Sequence, residues 1–358
     1  MPNRPLTTDY LQERKLLAGR WERRGLLLLV LLLIGFPFLA STNWVTIANL
    51  TMVAVVGSVA LMILTGFTGQ ISLGHAAFLA VGAYTAAVLG THWQMPFWLI
   101  IPLAGFAAAA VGLAVGPFAL RLEGLYLAIV TVGLIFLVNH VLLSYPDITG
   151  GVGGIAVPMY AGFSEATSMG DSWRIGSFEI NFERKVYVLY VLLTLVSVFA
   201  IRNLGRSNAG RAMMAVRDHD LAAAVMGVNP ARTKIIAFGL SSFFAGVAGA
   251  MFAFQQQYLT VEPPFNLLMS VQYIAMIVLG GIGTVFGAVA GPIAFVVLSP
   301  IMEAVGRSLP IIDQLNSTQQ STLLFALLVI GFLIFEPLGL YGIWLRIKRY
   351  FMAWPFSY

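Results

Sequence analysis

Cysteine is absent from all 358 residues, which excludes disulfides, thiolate metal sites and cysteine nucleophiles. Charge is scarce as well. Asp, Glu, Lys and Arg make up 10% of the chain, against about 25% in an ordinary soluble domain. That deficit excludes a soluble globular enzyme and a disordered chain. The sequence contains no G-x-x-x-x-G-K-[ST], so it carries no P-loop for ATP. It also lacks H-E-x-x-H, any His/Asp/Glu cluster at ligand spacing, and a Ser/His/Asp set on one side of a membrane. Catalytic and metal-ligating residues are therefore expected to be none.

What the chain has is apolar length. Hydrophobic residues make up 59%, and a spanning helix needs about 20 of them to cross a core of about 30 Å. The composition supplies roughly nine or ten spans. Long runs replace the alternation, about ten residues per strand, that builds an outer-membrane barrel. The fold class is an all-α polytopic membrane protein with about ten membrane segments. The runs fall near Gly25–Ser41, Trp44–Thr65, Ala76–Gly90, Pro96–Leu120, Gly124–Leu143, Val186–Ile201, Ile235–Phe254, Ser270–Leu279, Thr284–Val305 and Ser321–Phe335. Two of them, Ala76–Gly90 and Ser270–Leu279, are too short to cross alone and adjoin glycine-rich breaks. The first run reads as a retained anchor, because its basic lead-in is long and Phe38 spoils a small-x-small cleavage site before Ala40. Trp21 and Trp44 mark its two interfaces.

Basic residues set the orientation. Residues 1–24 carry six Lys/Arg, position 121 one, 202–234 six and 346–349 three, which is sixteen of the twenty. With ten alternating segments all four stretches fall on one side, the cytoplasm. The opposite loops keep only Arg174, Arg184, Lys185 and Arg307, beside eight acids. Both termini are thus expected in the cytoplasm. The organisation is a cytoplasmic segment 1–24, a transmembrane domain 25–345, and a cytoplasmic tail 346–358. The positive balance is topology and gives nucleic-acid binding no support. An external loop spans 144–185, and its four glycines at 150–154 read as a tight surface turn; no Lys follows to make a phosphate cradle.

An internal echo links Ala60–Gly69 with Ala275–Thr284. In each, an apolar helix breaks at clustered glycines and a second helix rises, from His75 and from Thr284. Both copies run in the same direction, so the repeat would be parallel. Glycine-interrupted segments in matching halves point to a substrate path in transporters. The candidate path residues are Gly69, Gln70, Ser72, Gly74 and His75 in the first break and Gly281, Gly283 and Thr284 in the second. A half-helix starting near Gly74 could aim its N-terminus at a carboxylate. The same residues would serve equally to pack two membrane subunits together. Small residues four apart, at Gly112/Gly116, Ala245/Gly249 and Gly283/Gly287/Gly291, suit close helix crossings. Intramembrane carboxylates, which ion-coupled carriers use, are missing. His75 and His140 are the histidines at membrane depth, and each reads more simply as a hydrogen-bonding residue than as a proton relay.

The cytoplasmic loop 202–234 is the remaining polar feature. Within it Asp220 is a good N-cap for a short helix, Leu221–Met226, stopped by Gly227 and Pro230. Such a capped knob, flanked by Arg217-Asp-His-Asp220, suits a partner's groove; a solvated loop is the alternative.

At these residues a family resemblance emerges. Gly66-Phe-Thr-Gly-Gln-Ile-Ser-Leu-Gly-His-Ala-Ala-Phe78 with Gly82-Ala-Tyr84 resembles the signature of branched-chain amino-acid ABC permeases of the LivM type. So do Gly210-Arg, Ala215-Val-Arg-Asp-His-Asp220, Met226-Gly-Val-Asn229, Lys234, Phe238, Ala245-Gly, Thr149-Gly-Gly and Gly280-Gly-Ile-Gly-Thr284. The matches run from about residue 45 to 340. The resemblance implies a permease subunit of an ABC importer in a bacterial inner or plasma membrane. Its partners would be a LivH-like second permease, two cytoplasmic ATPases and an external solute-binding protein. ATP and Mg would be bound by the ATPases, and this chain would hold no cofactor. The resemblance also implies an ATPase coupling loop drawn from Arg211, Arg217, Asp218, Asp220, Leu221, Ala222, Ala223 and Gly227. Leu221-Ala-Ala-x-x-x-Gly227 departs from the importer pattern E-A-A-x-x-x-G by its leucine. Branched-chain amino acids are the implied cargo; urea, amides and aromatic acids in the same machine, and an ion-coupled carrier, stay open.

Overall fold

The computed structural model describes residues 35–119, 124–163, 178–307 and 338–353, together with 32–33, 122, 169, 173–175 and parts of 323–336. The segment 1–24, most of the first anchor with Trp21, the turn at Arg121, and much of the last run lie outside the described residues. The other eight apolar runs return as helices. They are α1 (Thr42–Leu61), continued by a π-helical turn over Met62–Phe67, then α2 (His75–Trp93), α3 (Phe97–Ala119), α4 (Leu125–Ser144) and α5 (Phe182–Arg206). Two short helices, α6 (Asn208–Asp218) and α7 (Asp220–Val225), lead into α8 (Pro230–Gln256). The bent pair α9 (Leu267–Gly280) and α10 (Val285–Arg307) follows, and then α11 (Gly339–Ala353), which runs through position 345 without a break.

Among the described residues, six helices are long and apolar enough to cross a membrane, and α9 with α10 passes that test as a pair bent by 117°. One of the six is α2, which corrects the expectation that Ala76–Gly90 is too short. Its helix continues through Thr91, His92 and Trp93, and 19 residues span about 28 Å. Polar Thr91 and His92 end the apolar run, but the helix carries them on: Thr91 Oγ1 donates to Ala156 O at 2.7 Å and the His92 ring hydrogen-bonds Ile148 O at 3.0 Å. The run Ser270–Leu279 does return as a short helix, α9, of 14 residues.

Helices α1 and α8 form the buried centre. From Thr51 to Leu64 every side chain of α1 and its π-turn is buried, as is most of α8 from Ala245 to Phe254. Such burial demands close approach, and glycine supplies it. A side chain on Gly82 would come within 2.2 Å of Gly246 O, and one on Gly249 within 2.1 Å of Leu79 O. A side chain on Gly246 would come within 2.5 Å of Ala104 O of α3, so α8 is clamped between α2 and α3. Gly287 and Gly291 press α10 onto the Gly280 and Met276 backbone of α9. Of the expected small-residue contacts, Gly112 meets Ser242 closely, whereas Gly116 has ordinary room against Ile235.

The connecting segments gather at two ends. At one, β1 (Ile155–Ala156) pairs antiparallel with β4 (Tyr258–Leu259), and Phe97 N donates to Tyr160 O at 2.8 Å. A second hairpin there joins β2 (Trp173–Ile175) and β3 (Phe178–Ile180). The four glycines form a tight turn: Gly150, Gly151 and Gly154 all have positive φ, and Thr149 Oγ1 donates to Leu142 O at 2.5 Å. At the other end lie both glycine breaks and the α6–α7 module.

The α2–α8 crossing yields a test. Gly82→Val forces backbone apart, and overpacking of this kind costs about 1–3 kcal/mol. Thermal unfolding followed in detergent should show a clear drop in melting temperature. Gly133→Ala, with nothing within 4 Å of the added methyl, should leave it unchanged or slightly raised.

Candidate functional site at the paired helix breaks

The first break begins where α1 widens into the π-turn. Leu64 O accepts from both Thr68 Oγ1 at 2.6 Å and Gln70 N at 3.1 Å. Thr65 Oγ1 donates to Gln70 O at 3.1 Å. The chain reverses at Gly69, whose φ of +70° suits glycine. It then reaches Gly74 and starts α2 at His75. Neighbouring helices satisfy the freed backbone: Leu73 N donates to Thr131 Oγ1 of α4 at 3.0 Å, and Ala76 N to Ser270 Oγ of α9 at 2.9 Å. A side chain on Gly74 would strike Thr131 O at 2.3 Å. Irregular backbone at membrane depth is tolerated only when enclosed in this way.

His75 and Ser72 are both 1% exposed. The His75 ring hydrogen-bonds the Gly57 backbone and lies edge-on to Tyr273, with centroids 5.0 Å apart. Tyr273 fits there because Gly57 has no side chain; a Cβ would sit 2.5 Å from the Tyr273 ring. His75 Nε2 and Ser72 Oγ have no hydrogen-bond partner. The donor that α2 could offer a carboxylate at Ala76 N is occupied by Ser270 in this conformation.

The second break follows α9. Gly281 and Gly283 adopt φ of +114° and +79°, and Thr284 starts α10. Gly287 N donates to Thr284 Oγ1 at 3.0 Å while the hydroxyl donates to Gly281 O at 3.0 Å. Thr284 is thereby an N-cap, its hydroxyl turned to its own backbone.

The breaks touch each other. A side chain on Gly66 would lie 3.0 Å from Gly283 Cα. Arg217, at the C-terminal end of α6, reaches the same point, and its Nη1 donates to Gly66 O at 2.9 Å. A cavity of about 320 Å³ opens beside it, lined by Thr68, Gly69, Gln70, Arg217, Asp218, Asp220 and Lys234 among others. The structure thus brings Gly69, Gln70 and Gly283 together with the loop residues Arg217, Asp218 and Asp220. Ser72, Gly74 and His75 lie deeper, between α4 and α9. Arg211 stands apart, bonded to Asn208 Oδ1 and Arg206 O on its own turn.

The short helix α7 presents an apolar surface. Leu221, Val225 and Met226 are 74%, 89% and 84% exposed, Ala222 is exposed and Ala223 is buried. Asp220 lies inside the helix and its Oδ1 accepts from Leu221 N at 2.8 Å; the capping position is His219, one residue earlier than expected. The end is a Schellman motif: Gly227 N donates to Ala224 O and Val228 N to Ala223 O, both at 3.0 Å, with Gly227 at φ +88°.

A family model described as "Branched-chain amino acid transport system / permease component" matches residues 43–335. The chain belongs to that permease family. It is 34% identical over 331 residues to the high-affinity branched-chain amino acid transport system permease protein LivM of Salmonella typhimurium, covering 89% of this chain and 75% of the relative. LivM of Escherichia coli K12 is 34% identical over 330 residues, with the same shares. LivH of Salmonella typhimurium is 25% identical over 295 residues, 77% of this chain and 87% of the relative. No solved structure matches the chain.

Sequence reasoning does not reach Thr131, Ser270 and Tyr273, the groups that hold the permease's first break; the hydroxyls of Thr131 and Ser270, lone in apolar runs, were the available signal. Ser270→Ala leaves the buried Ala76 N–H without its acceptor, at about 1–3 kcal/mol. Thermal unfolding of the variant permease should show that loss, and Ser270→Thr should restore most of it.

Proposed function

We propose that this chain is one membrane-spanning subunit of an ATP-driven ABC importer that takes branched-chain amino acids from an external solute-binding protein. The observation that carries the reading is α7, a capped helix whose exposed leucine, valine and methionine stand beside the meeting point of the two breaks. An exposed apolar helix next to a rearrangeable path is what a motor subunit needs to grip. The printed names of the similar permeases, LivM and LivH, support the branched-chain cargo and a second, related permease beside this one.

In this reading two cytoplasmic ATPases bind ATP and Mg, close on each other and displace α7. This chain contributes no hydrolytic residue. The basic stretches 202–234 and 346–349 support an orientation with α6, α7 and both breaks at the cytoplasmic end of a bacterial inner or plasma membrane. The strand pair formed by 155–156 and 258–259 then faces the external binding protein. The pairs α1–α2 and α9–α10, each broken at glycines, are the two copies of a parallel repeat. Gln70, Ser72 and His75 line the path opened when the breaks separate, and a solute carboxylate would displace Ser270 from the N-terminus of α2. Cargo moves because the two end states contact it differently.

The test is reconstitution with the partner subunits, reading ATP hydrolysis and labelled leucine uptake with and without the binding protein. Uptake should require both ATP and the binding protein. Leu221→Asp combined with Met226→Asp should abolish ATPase co-purification and uptake while the melting temperature stays put, since both side chains are solvent-exposed. Uptake by this chain alone on an ion gradient would contradict the proposal.

A further inference from the structure

Arg217 is held at four points. Its Cγ would lie 2.8 Å from a side chain on Gly69, so its aliphatic stem packs directly on that turn. Nη1 donates to Gly66 O at 2.9 Å, and the same nitrogen is 3.3 Å from where a Gly283 side chain would begin. Nε and Nη2 meet Asp218 Oδ1 at 2.9 and 2.8 Å. A guanidinium offers donors in a fixed planar fork, so contacts on two edges set its orientation, which a lysine ammonium cannot reproduce. Gly66 O belongs to the π-helical turn that ends the α1 segment, a helix C-terminus where a cation is electrostatically favoured.

Neighbouring geometry leaves little slack. Gly66 and Gly283 already touch backbone to backbone. Asp218 ends α6, and α7 begins at Asp220 after only His219. The Asp218 side chain is 66% exposed, so the ion pair itself contributes little to stability; its effect is to aim the guanidinium.

We infer that Arg217 is a positioning residue that pins α6 and α7 to both helix breaks, so that the docking helix and the translocation path move as one body. This rests on the importer reading above and names the residue through which the motor's displacement reaches the path. Without the pin, α7 still binds the ATPase, and its movement is absorbed in the loop instead of reaching Gly66 and Gly283.

The test uses the full reconstituted complex and reads ATP hydrolysed per leucine imported. Arg217→Met keeps the stem on Gly69 and removes the guanidinium. The expected result is retained ATP hydrolysis with uptake per ATP down about tenfold or more, the scale of one charge-assisted hydrogen bond lost. Arg217→Lys, which keeps the charge and cannot hold Gly66 O and Asp218 together, should fall between. A variant complex with the wild-type ratio overturns the inference and leaves the importer reading intact. Loss of assembly in both variants would make Arg217 a folding residue and overturn it too. A wild-type complex that splits ATP without moving solute overturns the importer reading and this inference with it.

Discussion

Backbone amides and carbonyls released inside a membrane must find partners in the protein, because hydrocarbon offers none. Much of this structure follows from that requirement. Two helices break at glycines near one end of the bundle, and each break is enclosed by hydroxyls and carbonyls from elsewhere in the chain. Thr131 and Ser270 take the N–H groups of Leu73 and Ala76, Thr284 caps α10, and Arg217 takes Gly66 O. Several of the buried polar side chains, among them Thr68, Gln70, Ser72, His75, Thr131 and Ser270, gather at the first break.

Close packing makes that enclosure possible. Helix α8 lies backbone-to-backbone against α2 and α3 through Gly82, Gly246 and Gly249, and α9 against α10 through Gly287 and Gly291. At the breaks themselves, Gly66 and Gly283 leave room for the two backbones to approach. Both breaks meet where α6 ends, next to the short helix α7.

The spans were legible because apolar length is a local property. Eight runs read from the sequence return as helices, and the glycine clusters mark both breaks. Burial was less legible. Ala76–Gly90 looks short because Thr91 and His92 end the apolar run, yet α2 runs on to Trp93. Thr284 belongs to the second break as expected, but its hydroxyl turns to its own helix. What no local pattern could show is the long-range pairing: Arg217 meeting Gly66 across 151 positions, or Ser270 meeting Ala76 across 194. The motif around Asp220 marked a short helix at the right place because Gly227 and Pro230 stop it, and missed the cap by one residue because Asp220 lies within the helix.

The central claim is that α7 and the two breaks form one moving body. The absence of cysteine allows spin labels at chosen cysteines in this chain before assembly with its partners. Val225 on α7, Ile282 in the second break and Val152 at the opposite end are all exposed. Paired distances among them, measured by pulsed electron resonance with and without ATP, address the claim directly. The account predicts a constant Val225–Ile282 distance while both change relative to Val152. A Val225–Ile282 distance that shifts on ATP binding, with Ile282 fixed relative to Val152, would contradict it.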